Sequence, residues 1–370
     1  MDVQLFEIGL GTLLVLVITM IDWLTPALTR RDLLFGVTVM PGARDSAAGR
    51  RIVRGYRFGV TLLAIIAIAG LTWAALVLPI DALAGAWLAV AIIAFTLISP
   101  IPYLLAHSAS KKLAVAKSAS APPETPHSPT AELRPRRYGD YVPLVWEILP
   151  LAIIAATVAY LVPHYANAPA LIPQHYGVNG EVNRYAPKSI GTFFILVWAQ
   201  LFIEVLITFM SLLVVGSKAL PGEAETRFRR TWLRGLVGIK VAVLLLLGID
   251  AVIIAANVTS TTLSPWVLLA PTLVFLVVVI GGVIVLSLRT GQGGSRLSSD
   301  APATDRLDDR YWKFGAIYVN GNDPSIFVER RFGVGWTLNF GNPRGVLVML
   351  GMFVAVAVFA TLIILVSQPH

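Results

Sequence analysis

The charged residues of this chain are gathered between eight long apolar stretches, and that arrangement leaves a lipid bilayer as the solvent in which it can fold. The stretches fall at about 4–26, 58–79, 84–106, 143–163, 189–217, 233–256, 266–288 and 345–367. Each reaches the roughly 20 mostly apolar residues that a helix needs to cross the hydrocarbon core. A soluble core of 370 residues could not hide this much apolar side chain, since 56% of the residues are hydrophobic and only 14% charged. Ordinary soluble domains carry about 25% charged residues. Within lipid every backbone polar group must be satisfied inside the segment, so the reading is an all-α polytopic protein with about eight transmembrane helices. The first stretch is not read as a cleaved signal peptide, because Asp2 and Glu7 precede its apolar run and Thr29-Arg30-Arg31 follows it.

The basic residues orient the spans. Segment 29–57 holds Arg30, Arg31, Arg44, Arg50, Arg51, Arg54 and Arg57, and the segments 107–142, 218–234 and 289–344 are similarly rich in Lys and Arg. The intervening loops hold only Arg184 and Lys188. By the positive-inside rule the basic loops lie in the cytoplasm and both termini outside, in a cell (inner or plasma) membrane. The same rule accounts for the net charge of +8, which otherwise would suggest a nucleic-acid partner. With no cysteine in the chain, disulfides, thiolate metal sites and cysteine nucleophiles are excluded.

Composition divides the chain further. Residues 1–106 read as a three-helix N-terminal membrane part. Residues 107–142, rich in Ser, Ala and Pro, read as a flexible cytoplasmic linker. A membrane core, 143–288, carries an outer loop at 164–188; a cytoplasmic segment, 289–344, precedes the last helix in 345–370. Inside that segment 311–341 looks folded. Its β-branched and aromatic runs, broken by Gly, Asn and Pro, predict two or three small strands, too few to be stable alone. They would rest on the membrane face or on the basic loops. No clear internal repeat stands out.

Three constellations could carry chemistry. The outer loop mixes stiffening prolines and turn glycines with side chains able to bond a ligand directionally: Pro173, His175, Tyr176, Gly180, Glu181, Asn183, Arg184 and Lys188. A cap that satisfies helix ends would use the same residue types. His164 and His175 with Glu181 would make a thin metal site, so none is assigned; nor is any cofactor. The second constellation is charge inside spans, where burial costs at least about 2.5–3.5 kcal/mol. Asp22 and Glu147 lie near span ends and can snorkel. Glu204, Lys240 and Asp250 lie deeper on two consecutive helices and form a candidate intramembrane charge network. It is either a charge-paired interface or an ion or proton relay. The third is a cytoplasmic partner surface of Trp312, Tyr318, Arg330, Arg331 and Trp336. Segment 289–344 balances its basic residues with Asp300, Asp305, Asp308, Asp309, Asp323 and Glu329, too evenly for direct nucleic-acid binding. Anionic lipid headgroups or a regulator protein fit better. No phosphate-binding glycine loop, His-Glu-x-x-His motif or nucleophile elbow occurs, so no catalytic residue is assigned.

The loop Ile172-Pro-Gln-His-Tyr-Gly-Val-Asn-Gly-Glu-Val-Asn-Arg-Tyr, closed by Lys188-Ser189, resembles the signature of a bacterial multi-pass family of largely unknown function. The best-known member of that family is SdpI, an immunity protein against a secreted peptide toxin. Pro173, His175, Gly180, Asn183 and Lys188 fit its pattern, while Arg184 stands where an acidic residue is commoner. Residues 33–41 with Tyr56-Arg57 resemble the family's first cytoplasmic loop, and Trp312–Phe340 a small appended domain of unknown function. The resemblance implies a sensor or immunity-type membrane protein that binds an extracytoplasmic peptide or envelope component and signals to a cytoplasmic regulator. The alternative is a proton-coupled transporter or channel subunit using Glu204 and Asp250. A membrane-embedded enzyme with His175 and Glu181 as acid–base pair is the weakest of the three.

Overall fold

The computed structural model describes residues 3–77, 86–118, 136–177, 179–217, 223–297 and 308–367. The fold is mostly helical. Among the described residues eight helical stretches are long and apolar enough to cross a membrane, at Leu5–Leu28, Ala47–Val77, Trp87–Ala114, Leu144–Asn167, Ile195–Gly216, Glu223–Ala256, Pro265–Gly294 and Pro343–Val366. The count expected from hydropathy is the count observed. Exposed Leu, Ile, Val and Phe cover the outer faces of these helices, as lipid contact requires.

The chain forms two compact units. The first combines Met1–Glu132, Lys218–Glu225 and Ser287–Asn342; the second combines Leu133–Ser217, Thr226–Leu286 and Pro343–His370.

In the first unit, helices α1 (Val3–Leu28), α2 (Ala47–Val77) and α3 (Ala86–Ile98) enclose Val15, Ala64, Leu71, Ala75, Trp87 and Phe95, while α4 (Ile101–Ser118) adds Tyr103 and Ala106 to a second cluster with Leu34, Phe35, Tyr56 and Val60. Pro100 sits at the break between α3 and α4, where its missing N–H costs no ladder bond. The buried Glu7 accepts a 2.8 Å hydrogen bond from the Trp87 indole. Helix α4 corrects the expected linker: it continues to Ser118, so residues 107–118 are helical, while 119–135 lie outside the described residues. Burial of His107 and Ser110 holds this extension in place. Helix α2 likewise begins eleven residues before the expected 58. Apolarity marks where lipid ends, but a helix that leaves the bilayer needs only good formers and a neighbour to continue.

Two similar hairpins stand out in this unit. β1 (Leu33–Leu34) pairs with β2 (Val37–Thr38), and β5 (Trp312–Lys313) with β6 (Ile317–Tyr318). Both turn on Phe-Gly in the left-handed region, Phe35 at φ 47° with Gly36 at 76°, and Phe314 at 52° with Gly315 at 67°. These are the φ values of a type I′ turn, whose twist matches the strands it joins. A Cβ on Gly36 would lie 2.2 Å from the Gly315 carbonyl oxygen, so the turns meet glycine to glycine. The two segments, Leu-Phe-Gly-Val and Lys-Phe-Gly-Ala, are thus a structural repeat that the sequence reading missed. β7 (Phe327–Glu329) and β8 (Trp336–Leu338) form a further pair, giving four short strands in 311–341 where two or three were expected.

The second unit holds α5 (Ile148–Asn167), a hairpin of β3 (Leu171–Tyr176) and β4 (Val182–Pro187), the short α6 (Ile190–Phe193), α7 (Ile195–Gly216), α8 (Glu223–Ala256, from Thr226 on), α9 (Pro265–Thr290, to Leu286) and α10 (Pro343–Val366). Its core is Ile154, Leu161, Phe193, Val197, Leu244, Ala251 and Ala255. Gln200, fully buried, donates to the Thr157 hydroxyl at 3.2 Å and to the Leu244 carbonyl at 2.8 Å, tying α5, α7 and α8. Gly248 leaves the space for it, since a Cβ there would lie 3.1 Å from the Gln200 amide nitrogen.

Candidate functional site

Two places in the second unit gather the residues singled out above. The first is the β3–β4 hairpin. Its ends are fixed by side chains doing structural duty. Lys188 donates to the carbonyls of Ala166 at 3.2 Å and Ala168 at 2.9 Å, capping the C-terminus of α5, and lies over the Tyr165 ring. Ser189 and Thr192 form a reciprocal capping box that starts α6. Gly180, at φ 85°, is buried, and a Cβ there would meet the Leu263 carbonyl oxygen at 1.9 Å. The hairpin tip in turn pairs with the segment before α9, through Val182 N–H to Thr261 O and Leu263 N–H to Gly180 O. Lys188 and Gly180, read above as ligand-binding, are therefore parts of the frame.

Pro173 is buried as well. With Ile172, Gln174, Phe193, Leu196 and Ala255, among others, it lines an apolar cleft of about 80 Å³ between β3 and the facing ends of α7 and α8. Tyr176 is half-buried, and burial pushes its hydroxyl above the ordinary tyrosine range.

What remains exposed is a polar set: His175, Glu181, Asn183 and Arg184, with Tyr185 beside them. The His175 Nδ1 lies 2.6 Å from the Asn183 Oδ1. Since an amide oxygen only accepts, Nδ1 is the donor in this contact, and Nε2 is left open. Glu181 accepts from the Asn179 amide at 2.8 Å. His164 is engaged elsewhere, 2.7 Å from the Tyr160 carbonyl and stacked on the Tyr160 ring. Among the described residues no group of three or more His, Asp or Glu side chains could hold a metal.

The second place is the charged cluster between helices. Lys240, only 1% exposed, donates to Glu147 Oε2, to Glu204 Oε1 at 2.9 Å and to the Thr208 hydroxyl at 3.0 Å, which uses all three of its N–H donors. Tyr138 donates to the other Glu147 oxygen at 2.5 Å; burial first, then this carboxylate, raises the tyrosine above its ordinary pKa. Glu204 and Lys240 meet as expected. Two corrections apply. Glu147 does not snorkel but joins the cluster. Asp250, ten residues beyond Lys240 and so about 15 Å along α8, does not belong to it. The Tyr138–Glu147 contact was hidden from the sequence because the structural link is a 3₁₀ turn, Leu144–Glu147, that hydropathy reads as part of a span.

The expected partner surface in the first unit is also corrected. Trp312, Tyr318 and Arg331 are 4%, 2% and 3% exposed, and they form the interior of the small block instead. Arg331 donates to the Gly36 carbonyl at 3.0 Å, pairs with Asp309 and lies over the Trp312 ring. Burial pulls its guanidinium below the ordinary arginine value, and Asp309 opposes that. Trp336 is half-buried in β8, whereas Arg330, in the turn between β7 and β8, is exposed. The side chains actually presented to solvent include Arg310, Phe314, Ile317 and Phe340.

Two family models match the chain. Residues 152–199, which span α5, the β3–β4 hairpin and the start of α7, match a domain of unknown function (DUF1648). Residues 322–346, covering β7, β8 and the start of α10, match a family of unknown function (DUF5808). No curated protein and no solved structure matches the chain. The DUF1648 segment contains the hairpin with its exposed polar set, the Lys188 cap and Thr157 of the helix-tying triad.

Proposed function

We propose that the chain is a membrane receptor of the immunity type, set in the cell membrane with the β3–β4 hairpin and both termini on its outer face. The hairpin captures an extracytoplasmic peptide or another envelope component. One observation carries this reading. The hairpin is held from four directions, by the Lys188 cap, the Ser189–Thr192 box, the Gly180–Leu263 contact and buried Ile172 and Ala186. Yet the side chains of His175, Glu181, Asn183 and Arg184 are exposed, and the bonds of His175 to Asn183 and of Glu181 to Asn179 stay within the hairpin. A rigid polar platform that its own fold does not use is suited to a ligand, because little conformational entropy is lost on binding. A two-stranded hairpin also offers a backbone edge to an extended peptide, and alternate side chains to select it. The resemblance of loop 172–189 to the immunity family supports the same reading. On the cytoplasmic face, Arg310, Phe314 and Phe340 present the surface for a regulator protein.

The test is affinity purification in mild detergent of the wild type and of a His175→Ala, Glu181→Ala variant, with bound peptides, lipids and proteins identified by mass spectrometry. The reading expects a bound component that the variant loses. An identical set of bound components on both proteins contradicts it.

A further inference from the structure

The charged cluster of the second unit carries a separate inference. Within it stand two carboxylates, Glu147 and Glu204, and a single ammonium, Lys240. If all three are ionised, one negative charge is uncompensated inside a helix bundle whose surroundings are apolar. The helices of the unit add few charges around it. Thr208, on the same helix as Glu204, is neutral. Helix α10 packs on α7 through Phe359 stacked on Phe202 at 4.3 Å, and it carries no ionisable side chain between Gly345 and Val366. Helix α9 carries none between Pro265 and Leu288. On α8, Arg234 is turned to the Tyr141 carbonyl at 3.1 Å, and Asp250 stands about 15 Å away along the axis. Ahead of α5, Tyr138 supplies a hydroxyl and no charge.

One atom in this cluster is unsatisfied. Glu204 Oε2 is buried and has no hydrogen-bond partner among the described residues. Leaving such an oxygen bare is costly, and leaving a net charge in lipid is costlier. A metal cation would not relieve both. The oxygens that face the centre, Glu147 Oε2, Glu204 Oε1 and Thr208 Oγ1, are already taken by the lysine ammonium. A hard cation asks for about six oxygen ligands, and one remains. A proton asks for one.

We propose that the Glu147–Lys240–Glu204 cluster is a proton-binding site, with Glu204 Oε2 the atom that takes and releases the proton. On uptake one O–H bond forms at Oε2, the cluster becomes neutral, and Lys240 keeps Glu147 as its charged partner. On release that bond breaks, the proton leaves to water, and the Glu204 carboxylate returns to its pair with the ammonium. Glu147, with 20% of its side chain exposed against 14% for Glu204, is the more exposed of the two carboxylates, and Tyr138 is bonded to it.

Infrared difference spectra between acidic and alkaline buffer, taken on the full chain in lipid nanodiscs with ¹³C-labelled glutamate, read this directly. The expected result is a protonated-carboxyl band that shifts with the glutamate label and is lost in Glu204→Gln. Asp22 and Asp250 cannot give that label shift. If Glu204→Gln does not fold, Glu204→Asp decides: its band must no longer follow the glutamate label and must follow labelled aspartate. A label-sensitive band that survives either substitution, or its absence from the wild type, overturns the proposal and leaves a static ion pair.

Discussion

At Lys240 a single ammonium serves three acceptors on two other structural segments, so its loss leaves two carboxylates facing one another without a counter-charge. Removing one partner of a buried pair costs about 3–5 kcal/mol, whereas replacing the whole set by neutral groups is often nearly free. Lys240→Met should therefore destabilise the protein by about that amount. Adding Glu147→Gln and Glu204→Gln should restore most of it. Reversible unfolding in mixed micelles measures both, and a Lys240→Met variant as stable as the wild type would refute the pairing. Residue roles also separate within the hairpin. Lys188→Ala removes the cap on α5 and should cost about 1 kcal/mol, while His175→Ala, on the exposed face, should stay within about 0.5 kcal/mol of the wild type. Equal losses in the two variants would place His175 in the frame and withdraw it from the ligand face. Tyr138 adds a pH dependence. A hydroxyl whose pKa is raised in the folded state contributes stability that is fully present below tyrosine's ordinary value of about 10 and is lost as pH climbs towards the higher folded value. Alkaline destabilisation above about pH 10 should be weaker in Tyr138→Phe.

At the scale of elements, the spans were legible because lipid imposes a length and an apolarity that hydropathy reads directly. Helix ends at the basic side were not. Arg50, Arg51 and Arg54 of α2 lie on helix that continues past the apolar run, and the polar composition there looks like loop. The Phe-Gly turns show a different limit. Leu33-Leu34-Phe35-Gly36 and Trp312-Lys313-Phe314-Gly315 share only two residues, so no repeat is visible in one dimension. The left-handed φ that makes them alike exists only in the fold. Nor could the sequence tell that Trp312, Tyr318 and Arg331 point inward, since strands of two or three residues give too little alternation to assign a face. Two substitutions test the turn geometry. Gly36→Ala would drive a methyl into the Gly315 backbone and should abolish protease resistance of the 311–341 block. Phe314→Gly removes an exposed ring from a left-handed position and should stabilise the block by about 1 kcal/mol in hydrogen exchange. A stable Gly36→Ala block would mean that the two turns do not meet.

For the molecule as a whole, the receptor reading requires the hairpin and the 311–341 block to lie on opposite sides of one membrane. The alternation of basic and neutral loops predicts this. Because the chain has no cysteine, a single introduced thiol reports its own location. The decisive measurement is labelling by a membrane-impermeant maleimide of Arg184→Cys on the exposed hairpin face and of Phe314→Cys on the exposed turn of the block. The account predicts that Arg184→Cys is labelled in intact cells and that Phe314→Cys is labelled only after the membrane is opened. Labelling of Phe314→Cys in intact cells, with Arg184→Cys protected, would place the hairpin inside and contradict the receptor reading.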